Sequence, residues 1–147
     1  MGKGKPRHVP LSPAIPQPAG TKIPGARPPA SGELLLSFKY YDFSGKYSPL
    51  LRDGTYMGCV LDRFKEICRL SRQELVAGGD TWRCHKIPWD KTADPAGFAS
   101  VPPSQLQDVE AMQISLGLTD GRMHGIFVDD IFFVVWFDAQ HRLWPAG

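Results

Sequence analysis

The chain has 147 residues, enough for one domain built around one hydrophobic core. Its formal net charge of +2 is unevenly distributed. Residues 1–32 carry five lysines and arginines and no acidic residue, whereas residues 33–147 carry twelve Lys/Arg and fifteen Asp/Glu, a charge of −3. The charge of this mildly acidic body therefore does not indicate a broad nucleic-acid-binding face.

The number of cysteines and the length of the apolar runs indicate in which cellular compartment the protein resides. Cys59, Cys68 and Cys84 are odd in number and include no Cys-x-x-Cys pair, which argues against a secreted disulfide scaffold and for a reducing cytosol. The first 30 residues contain no apolar segment typical of a signal peptide. The longest apolar run, Ile131 to Phe137, is far shorter than the roughly 20 residues of a membrane helix. We expect a soluble, cytoplasmic protein that does not contact a membrane.

Two regions differ in composition. Residues 1–32 hold eight of the fourteen prolines and few large aliphatic residues. Such a segment cannot bury enough apolar surface to offset its ordering entropy, so we predict a disordered, basic, Pro-rich tail. It serves either as a solubilising arm or as the part that a partner, a protease adaptor or nucleic acid holds. Residues 33–147 are predicted to form a single α+β domain.

The first half of the domain begins with a strand, because Leu34 to Phe43 is rich in aromatic and aliphatic residues. From residue 56 to about residue 70, apolar residues recur at steps of three and four, which predicts an amphipathic helix. Ser71 and Glu74 then have the spacing of a capping box, which predicts a second, short helix ending near residue 77.

The second half is predicted to be all strand. A strand over residues 81–89 is followed by a loop with three prolines and then by a three-strand meander. The meander comprises Met112–Leu118, Met123–Asp129 and Ile131–Asp138, with an Asp-Gly hairpin turn after its first strand. The last strand is apolar on both faces, so we place it inside the sheet. The predicted order is β-α-α-β-β-β-β, an α+β fold with an antiparallel sheet.

The stretch "QISLGL" has a spacing that matters for function. Gln113 is followed by Leu116 and Leu118, the spacing of the short peptides that bacterial proteins insert into the DNA polymerase sliding clamp. In an extended chain Leu116 and Leu118 share one side and can fill an apolar pocket, while the Gln amide satisfies polar groups at its rim. The same residues also have the alternation of an ordinary half-buried strand, so both interpretations stay open.

A group of basic residues gives a second functional hypothesis. In the predicted meander, histidines and arginines from neighbouring strands come close together, and such a group can cleave RNA. Arginines would stabilise the phosphorane charge and a histidine would move protons near pH 7. The alternative is that each is a solvated cation that protects a strand edge from pairing. The residues are Arg83, His85, Lys86, Arg122, His124, His141 and Arg142.

Metal and cofactor sites are not predicted. Cys84 and His85 are adjacent, so in a strand they point to opposite faces and cannot easily share an ion. His124 and His141 lack a paired spacing such as His-x-x-x-His, and there is no Gly-rich phosphate loop. The four tryptophans are expected in the core or at its rim, unless several are exposed and mark an interface.

The C-terminal stretch carries a resemblance. "QISL…DGRMHGIFVDDIFFVVWFDAQHRLWP" resembles a family of small bacterial proteins with a Trp-x-Asp-x-x-His pattern, here Trp136, Asp138 and His141. With "QISLGL", the chain is similar to the SocB-type toxins. The resemblance implies a toxin that inhibits DNA replication by binding the sliding clamp (the beta subunit of the polymerase), and a cognate antitoxin that delivers it to a protease. The matching positions are Gln113, Leu116 and Leu118 only; the final anchor is Leu, where the strongest clamp peptides have Phe.

A second resemblance is architectural. A strand, two helices and an antiparallel meander are similar to the fold of RelE-type toxins, which implies cleavage of messenger RNA. By position, the catalytic candidates would be Arg83, Arg122 and His141. RelE-type proteins are usually shorter and much more basic than this body. A third possibility is an accessory domain without catalysis, which binds one protein partner through surfaces that include Trp82 or Trp144.

Overall fold

The computed structural model describes residues 32–43, 46–48, 53–117 and 121–144. Most of the predicted Pro-rich tail, residues 1–31, lies outside this part of the chain. Among the described residues, five strands form one sheet in the order β1-β5-β4-β3-β2. The strands are β1 (Leu35–Ser37), β2 (His85–Lys86), β3 (Ala111–Gly117), β4 (Gly121–Val128) and β5 (Ile131–Asp138). The predicted α+β class is confirmed.

The described helices follow the sequence pattern closely. They are α1 (Gly54–Ile67), α2 (Arg72–Ala77) and a single turn, α3 (Pro103–Leu106). The predicted capping box is present at α2, where Ser71 accepts a hydrogen bond from the backbone of Glu74 and the Glu74 carboxylate accepts one from Ser71. No helix in the described part of the chain is long and apolar enough to cross a membrane.

The sheet is mixed, which differs from the predicted antiparallel meander. β1 pairs with β5 in parallel, and every other pairing is antiparallel. Immediately before β1, the Leu34 side chain is fully buried, and its backbone N–H donates to the Leu70 carbonyl. Apolar composition indicates that a strand exists, but it does not indicate which strand it pairs with or in which direction.

The two predicted strands outside the meander are much shorter in the structure. The chain turns after Ser37, where Tyr41 N–H donates to the Phe38 carbonyl, so β1 stops early. β2 is limited to two residues, because a 3₁₀ turn at Gly79–Thr81 and the left-handed backbone of Arg83 (φ 43°) precede it. The strands of the meander lie within two residues of their predicted limits.

Apolar residues lie on both faces of the sheet. On the helix face, Val60, Phe64 and Ile67 of α1 pack against side chains such as Ile114 and Met123 from the strands. On the other face, here called the far face, Trp136 and its neighbours pack beneath the 87–109 segment and the C-terminal residues. Burial on both sides explains the apolar composition of β5.

Candidate functional site

The far face of the sheet also carries buried polar side chains. They alternate along β3, β4 and β5 with residues of the helix face, as the two-residue period of a strand requires. Five are almost completely inaccessible to solvent: Gln113, Ser115, Arg122, His124 and Asp138. Buried polar groups are usually hydrogen-bonded, and unpaired ones suggest a function. The strand register sorts them into two neighbouring rows.

The first row is centred on Gln113, which is in register with His85 of β2 and His124 of β4. The Gln113 side-chain oxygen accepts hydrogen bonds from His124 Nε2, at 3.2 Å, and from Trp144 Nε1. Its amide nitrogen donates to His85 Nε2 at 3.0 Å. These bonds engage the polar groups of Gln113 inside the protein. They also link β2, β3 and β4 to one another and to the C-terminal segment.

His124 is fully buried within this row and stacks edge-on against Trp136 and Tyr47. Burial, together with the positive charge of Arg122, lowers its pKa from 6.5 to about 3. Its Nδ1 has no hydrogen-bond partner among the described residues. A neutral ring that donates through Nε2 fits these surroundings, so His124 is structural and does not move protons near pH 7.

The second row places Arg122 between Ser115 and Asp138. Nη1 of Arg122 donates to Ser115 Oγ at 3.2 Å and to the Gly121 carbonyl at 3.0 Å. The Asp138 carboxylate accepts two backbone N–H groups of the C-terminal turn, at 2.7 and 2.8 Å, and so shapes that turn. It does not form an ion pair with Arg122, whose charge has no direct carboxylate partner among the described residues.

Gly121 permits this close approach of β4 to β5. Its φ is +80°, a region that side-chain-bearing residues rarely adopt. A Cβ at this position would lie 2.2 Å from the Asp138 carbonyl oxygen. Glycine is therefore required where β4 begins, next to Arg122.

The second row opens into a cleft of about 670 Å³ at the end of the sheet. Arg83 reaches it from the segment before β2, Arg122 from β4 and His141 from the turn after β5. Arg83 and His141 both have left-handed backbones, with φ of 43° and 56°. Such strained positions cost on the order of 1–3 kcal/mol and cluster at functional sites. The full lining is Arg63, Asp80, Thr81, Arg83, Ser115, Gly117, Arg122 and His141.

The electrostatics of the cleft favour an anion, since its lining holds three arginines and one carboxylate, that of Asp80. Arg122 is 7% exposed and Arg83 adds a second positive charge beside it. Burial and the charge of Arg83 lower the pKa of Arg122, although Asp138 opposes this effect. Arg83 likewise forms no ion pair with a described residue. A buried guanidinium beside a like charge is unfavourable until an anion neutralises it.

His141 supplies the cleft with a group that can accept a proton. Burial lowers its pKa below 6.5; the charges of Arg122 and Arg83 act in the same direction, and Asp138 opposes them. The imidazole is therefore neutral at pH 7 and available as a base. Because it follows β5 by three residues, its position depends on the turn that Asp138 holds.

Arg63 of α1 forms one wall of the cleft. Its Nε donates to the Ser115 carbonyl at 3.3 Å, and its Nη2 donates to the Thr81 carbonyl. The guanidinium also lies 3.7 Å from the centre of the Trp82 ring, a cation–π contact. Arg63 therefore fixes the chain on both sides of the cleft, immediately before Arg83 and beside Arg122.

The structure separates the residues of the two sequence hypotheses. Arg83, Arg122 and His141, predicted by position as a catalytic group, line one cleft. Gln113 and Leu116 of the clamp peptide are 3% and 2% exposed, and Leu118 lies outside the described residues. Of the larger basic group, His124 is buried in the first row and His85 is exposed over it.

Sequence reasoning missed Arg63 and Ser115. Ser115 was detectable, since it follows Gln113 by two residues and so shares the far face of β3. No local pattern distinguishes Arg63 from other polar residues of α1. In the described part of the chain, no group of three or more His, Cys, Asp or Glu side chains is placed to hold a metal ion.

Comparison of the chain with protein-family models, with curated proteins and with solved structures found no match. The basis for assigning a function is therefore the chemistry of the cleft itself.

Proposed function

We propose that the protein is an endoribonuclease that binds the phosphate backbone of RNA in the cleft of Arg83, Arg122 and His141. One observation carries the proposal: Arg122 is nearly buried, has no ion-pair partner among the described residues and lies beside a second arginine. A phosphodiester supplies the missing negative charge, and guanidinium groups match its oxygens geometrically.

The chemistry requires no group beyond these side chains and water. The 2′-hydroxyl of a ribose loses its proton to the neutral imidazole of His141, and the 2′-oxygen attacks the adjacent phosphorus. Arg83 and Arg122 stabilise the extra negative charge of the phosphorane. The bond to the 5′-oxygen then breaks, and that oxygen takes a proton from water; the hydroxide left behind takes the proton from the His141 imidazolium, which returns His141 to its neutral form. The products are a 2′,3′-cyclic phosphate and a 5′-hydroxyl end.

The wider role that fits this activity is that of a toxin in a bacterial toxin–antitoxin pair, which is also what the architectural resemblance to RelE-type toxins implies. We place it in the cytoplasm, where RNA is accessible and where three unpaired cysteines are compatible with a reducing environment. An antitoxin would then act by covering the cleft or the surface beside it.

The test is cleavage of an end-labelled RNA by the purified protein. We expect His141→Asn to lower the rate by about 10²–10⁴-fold, because it removes the base. Asn tolerates the left-handed backbone at this position, so the fold should persist. Arg122→Gln should lower the rate by about 10²–10³-fold.

The matched control is Arg69→Gln, which removes the same charge from an exposed position outside the cleft. It should cleave like the wild type. Wild-type protein that leaves every RNA intact, or cleavage that persists in His141→Asn and Arg122→Gln, would contradict the proposal.

Docking on the sliding clamp through Gln113, Leu116 and Leu118 is a second proposal. It is supported by the peptide spacing and by the shortness of β2, which pairs with only two residues of β3. It requires β3 to leave the sheet, since Gln113 and Leu116 are buried. Exposing a buried leucine costs about 1.5–3 kcal/mol, before the bonds of Gln113 are counted.

Two neighbouring truncations test this second proposal. Leu116→Ala and Ile114→Ala both remove a buried aliphatic side chain from β3, but only Leu116 belongs to the peptide. Binding to purified clamp should be lost in Leu116→Ala and kept, or strengthened, in Ile114→Ala, which loosens the strand. Equal effects of the two changes would show that only stability is involved.

A further inference from the structure

We propose that Trp144 and His85 form a stacking site for a base of single-stranded RNA next to the phosphate cleft. This inference rests on the proposed function and adds to it the form of the substrate. Trp144 is half-buried and His85 is exposed, and their ring centres are 6.0 Å apart with a tilt of 59°. Two aromatic rings with accessible surface beside a phosphate site are the usual elements of single-strand recognition.

The strand register gives the distance between the ring pair of Trp144 and His85 and the phosphate cleft. Trp144 and His85 both bond to Gln113, in the first row, whereas the cleft opens over Ser115 and Arg122 in the second row. Gln113 and Ser115 are two residues apart on β3, so the rows are separated by about 6.5–7 Å. A base and a phosphate of one nucleotide, or of two neighbours, span a distance of this order.

The hydrogen bonds of the ring pair determine what it recognises. Trp144 Nε1 already donates to Gln113, and His85 Nε2 accepts from the same side chain. His85 Nδ1 lies 2.9 Å from the Lys86 carbonyl and donates to it. The nitrogen atoms of both rings are therefore already hydrogen-bonded, so a base can contact these rings only through their faces. Such a site stacks bases without reading their sequence.

The same bonds hold the rings in place before any ligand binds. Gln113 is buried, and the oxygen that accepts from Trp144 also accepts from His124 of β4, so Trp144 is attached to the buried part of the sheet. His141, three residues earlier, is held by the turn on Asp138. Trp144 and His141 thus belong to one short segment that spans the base site and the cleft.

The experiment measures binding of a short, single-stranded 2′-deoxy oligonucleotide that cannot be cleaved through a 2′-hydroxyl. Each base in turn is replaced by an abasic residue, and affinity is followed by fluorescence anisotropy of the labelled strand. For the wild type we expect one abasic position to weaken binding about tenfold, the usual contribution of a stacked base.

Substitutions at Trp144 distinguish stacking from structure. Trp144→Phe keeps an aromatic face and loses the bond to Gln113, whereas Trp144→Leu keeps apolar bulk and loses the face. We expect Trp144→Phe to retain the abasic effect and Trp144→Leu to bind intact and abasic strands equally. Phe43→Leu makes the same kind of change at a ring that is 61% exposed and outside both sites, and should behave like the wild type.

Four results would overturn the inference, and they fall into two groups. If the wild type binds but no abasic position matters, or if Trp144→Leu keeps the abasic effect, the stacking site is wrong while the cleft is unaffected. If the wild type binds no strand, or if Arg122→Gln binds every strand as tightly as the wild type does, the phosphate cleft itself is wrong and the stacking site falls with it.

Discussion

The indole N–H of Trp144 donates a hydrogen bond to the side-chain oxygen of Gln113, and this bond attaches the C-terminal segment to β3. The same oxygen accepts from His124 on β4. Gln113, the first residue of the clamp-like peptide, is thus the centre of an internal network. Its role in the native state is to connect strands.

We therefore expect Gln113→Ala to destabilise the fold. The change leaves the donors of the buried His124 and the half-buried Trp144 without a partner, and an unpaired buried group costs about 1–3 kcal/mol. The free energy of unfolding in urea should fall by about 2–4 kcal/mol. Gln105→Ala, an exposed change in α3, is the control and should shift it by less than about 0.5 kcal/mol. Equal stability of the two variants would contradict the network.

Gly121 should tolerate no side chain. Because its φ is +80° and an added Cβ would lie 2.2 Å from the Asp138 carbonyl oxygen, we expect Gly121→Ala to lower stability by about 1–3 kcal/mol or more. Gly58→Ala is the matched control, since Gly58 lies in α1 with open space around it and should gain about 0.5–1 kcal/mol. Thermal unfolding of both variants checks the prediction, and a stable Gly121→Ala would refute it.

His124 should make the fold sensitive to acid. Its pKa is about 3 in the native protein and 6.5 when exposed, so between these values the unfolded chain binds a proton that the native chain does not. The stability that the neutral His124 contributes is fully present above pH 6.5. It is lost progressively as the pH falls from 6.5 towards 3. Between pH 6.5 and pH 5 the loss is about 2 kcal/mol.

Urea unfolding at a series of pH values measures this effect. His124→Gln cannot titrate and keeps a donor for Gln113, so its stability should depend less on pH over the same range. His141, whose pKa is also lowered, contributes a smaller loss in the same direction in both proteins. An unchanged pH dependence in His124→Gln would show that His124 is not the source.

Arg63 should position the cleft without contacting RNA. Its guanidinium is engaged by the Thr81 and Ser115 carbonyls and by Trp82, so its removal should displace Arg83 and weaken cleavage. The dependence of RNA affinity on salt separates the two roles. Arg122→Gln should reduce the slope of log K against log[salt] by about 0.7, the value for one phosphate contact to a single strand. Arg63→Gln should weaken binding with the slope unchanged, and a reduced slope would mean that Arg63 binds phosphate directly.

The sequence predicted the meander and the helices because their signals are local. The alternation along β3 to β5, the apolar stripe of α1 and the capping box of Ser71 and Glu74 depend on residues a few positions apart. The parallel pairing of β1 with β5 depends on residues 96 positions apart, and no local signal encodes it. Within the cleft, Arg122 and His141 were identifiable from their place in the meander, whereas Arg63 reaches it only through tertiary packing.

The buried state of "QISLGL" has a similar explanation. An alternating strand and an insertable peptide have the same spacing, and the difference lies in what covers the strand. Here α1 covers Leu116, and Trp144 with His85 covers Gln113. Those contacts come from distant parts of the chain, so the spacing alone could not distinguish a buried strand from an insertable peptide.

The most direct test of the cleft is an NMR titration of the ¹⁵N-labelled full chain with a non-cleavable 2′-deoxy oligonucleotide. We expect the largest shifts in the signals of Arg83, Ser115, Arg122 and His141, with the His141 ring signals moving as a phosphate approaches. Arg69, in the turn after α1, should not shift. Shifts confined to other surfaces, or no shift at millimolar oligonucleotide, would contradict the assignment of this cleft to RNA.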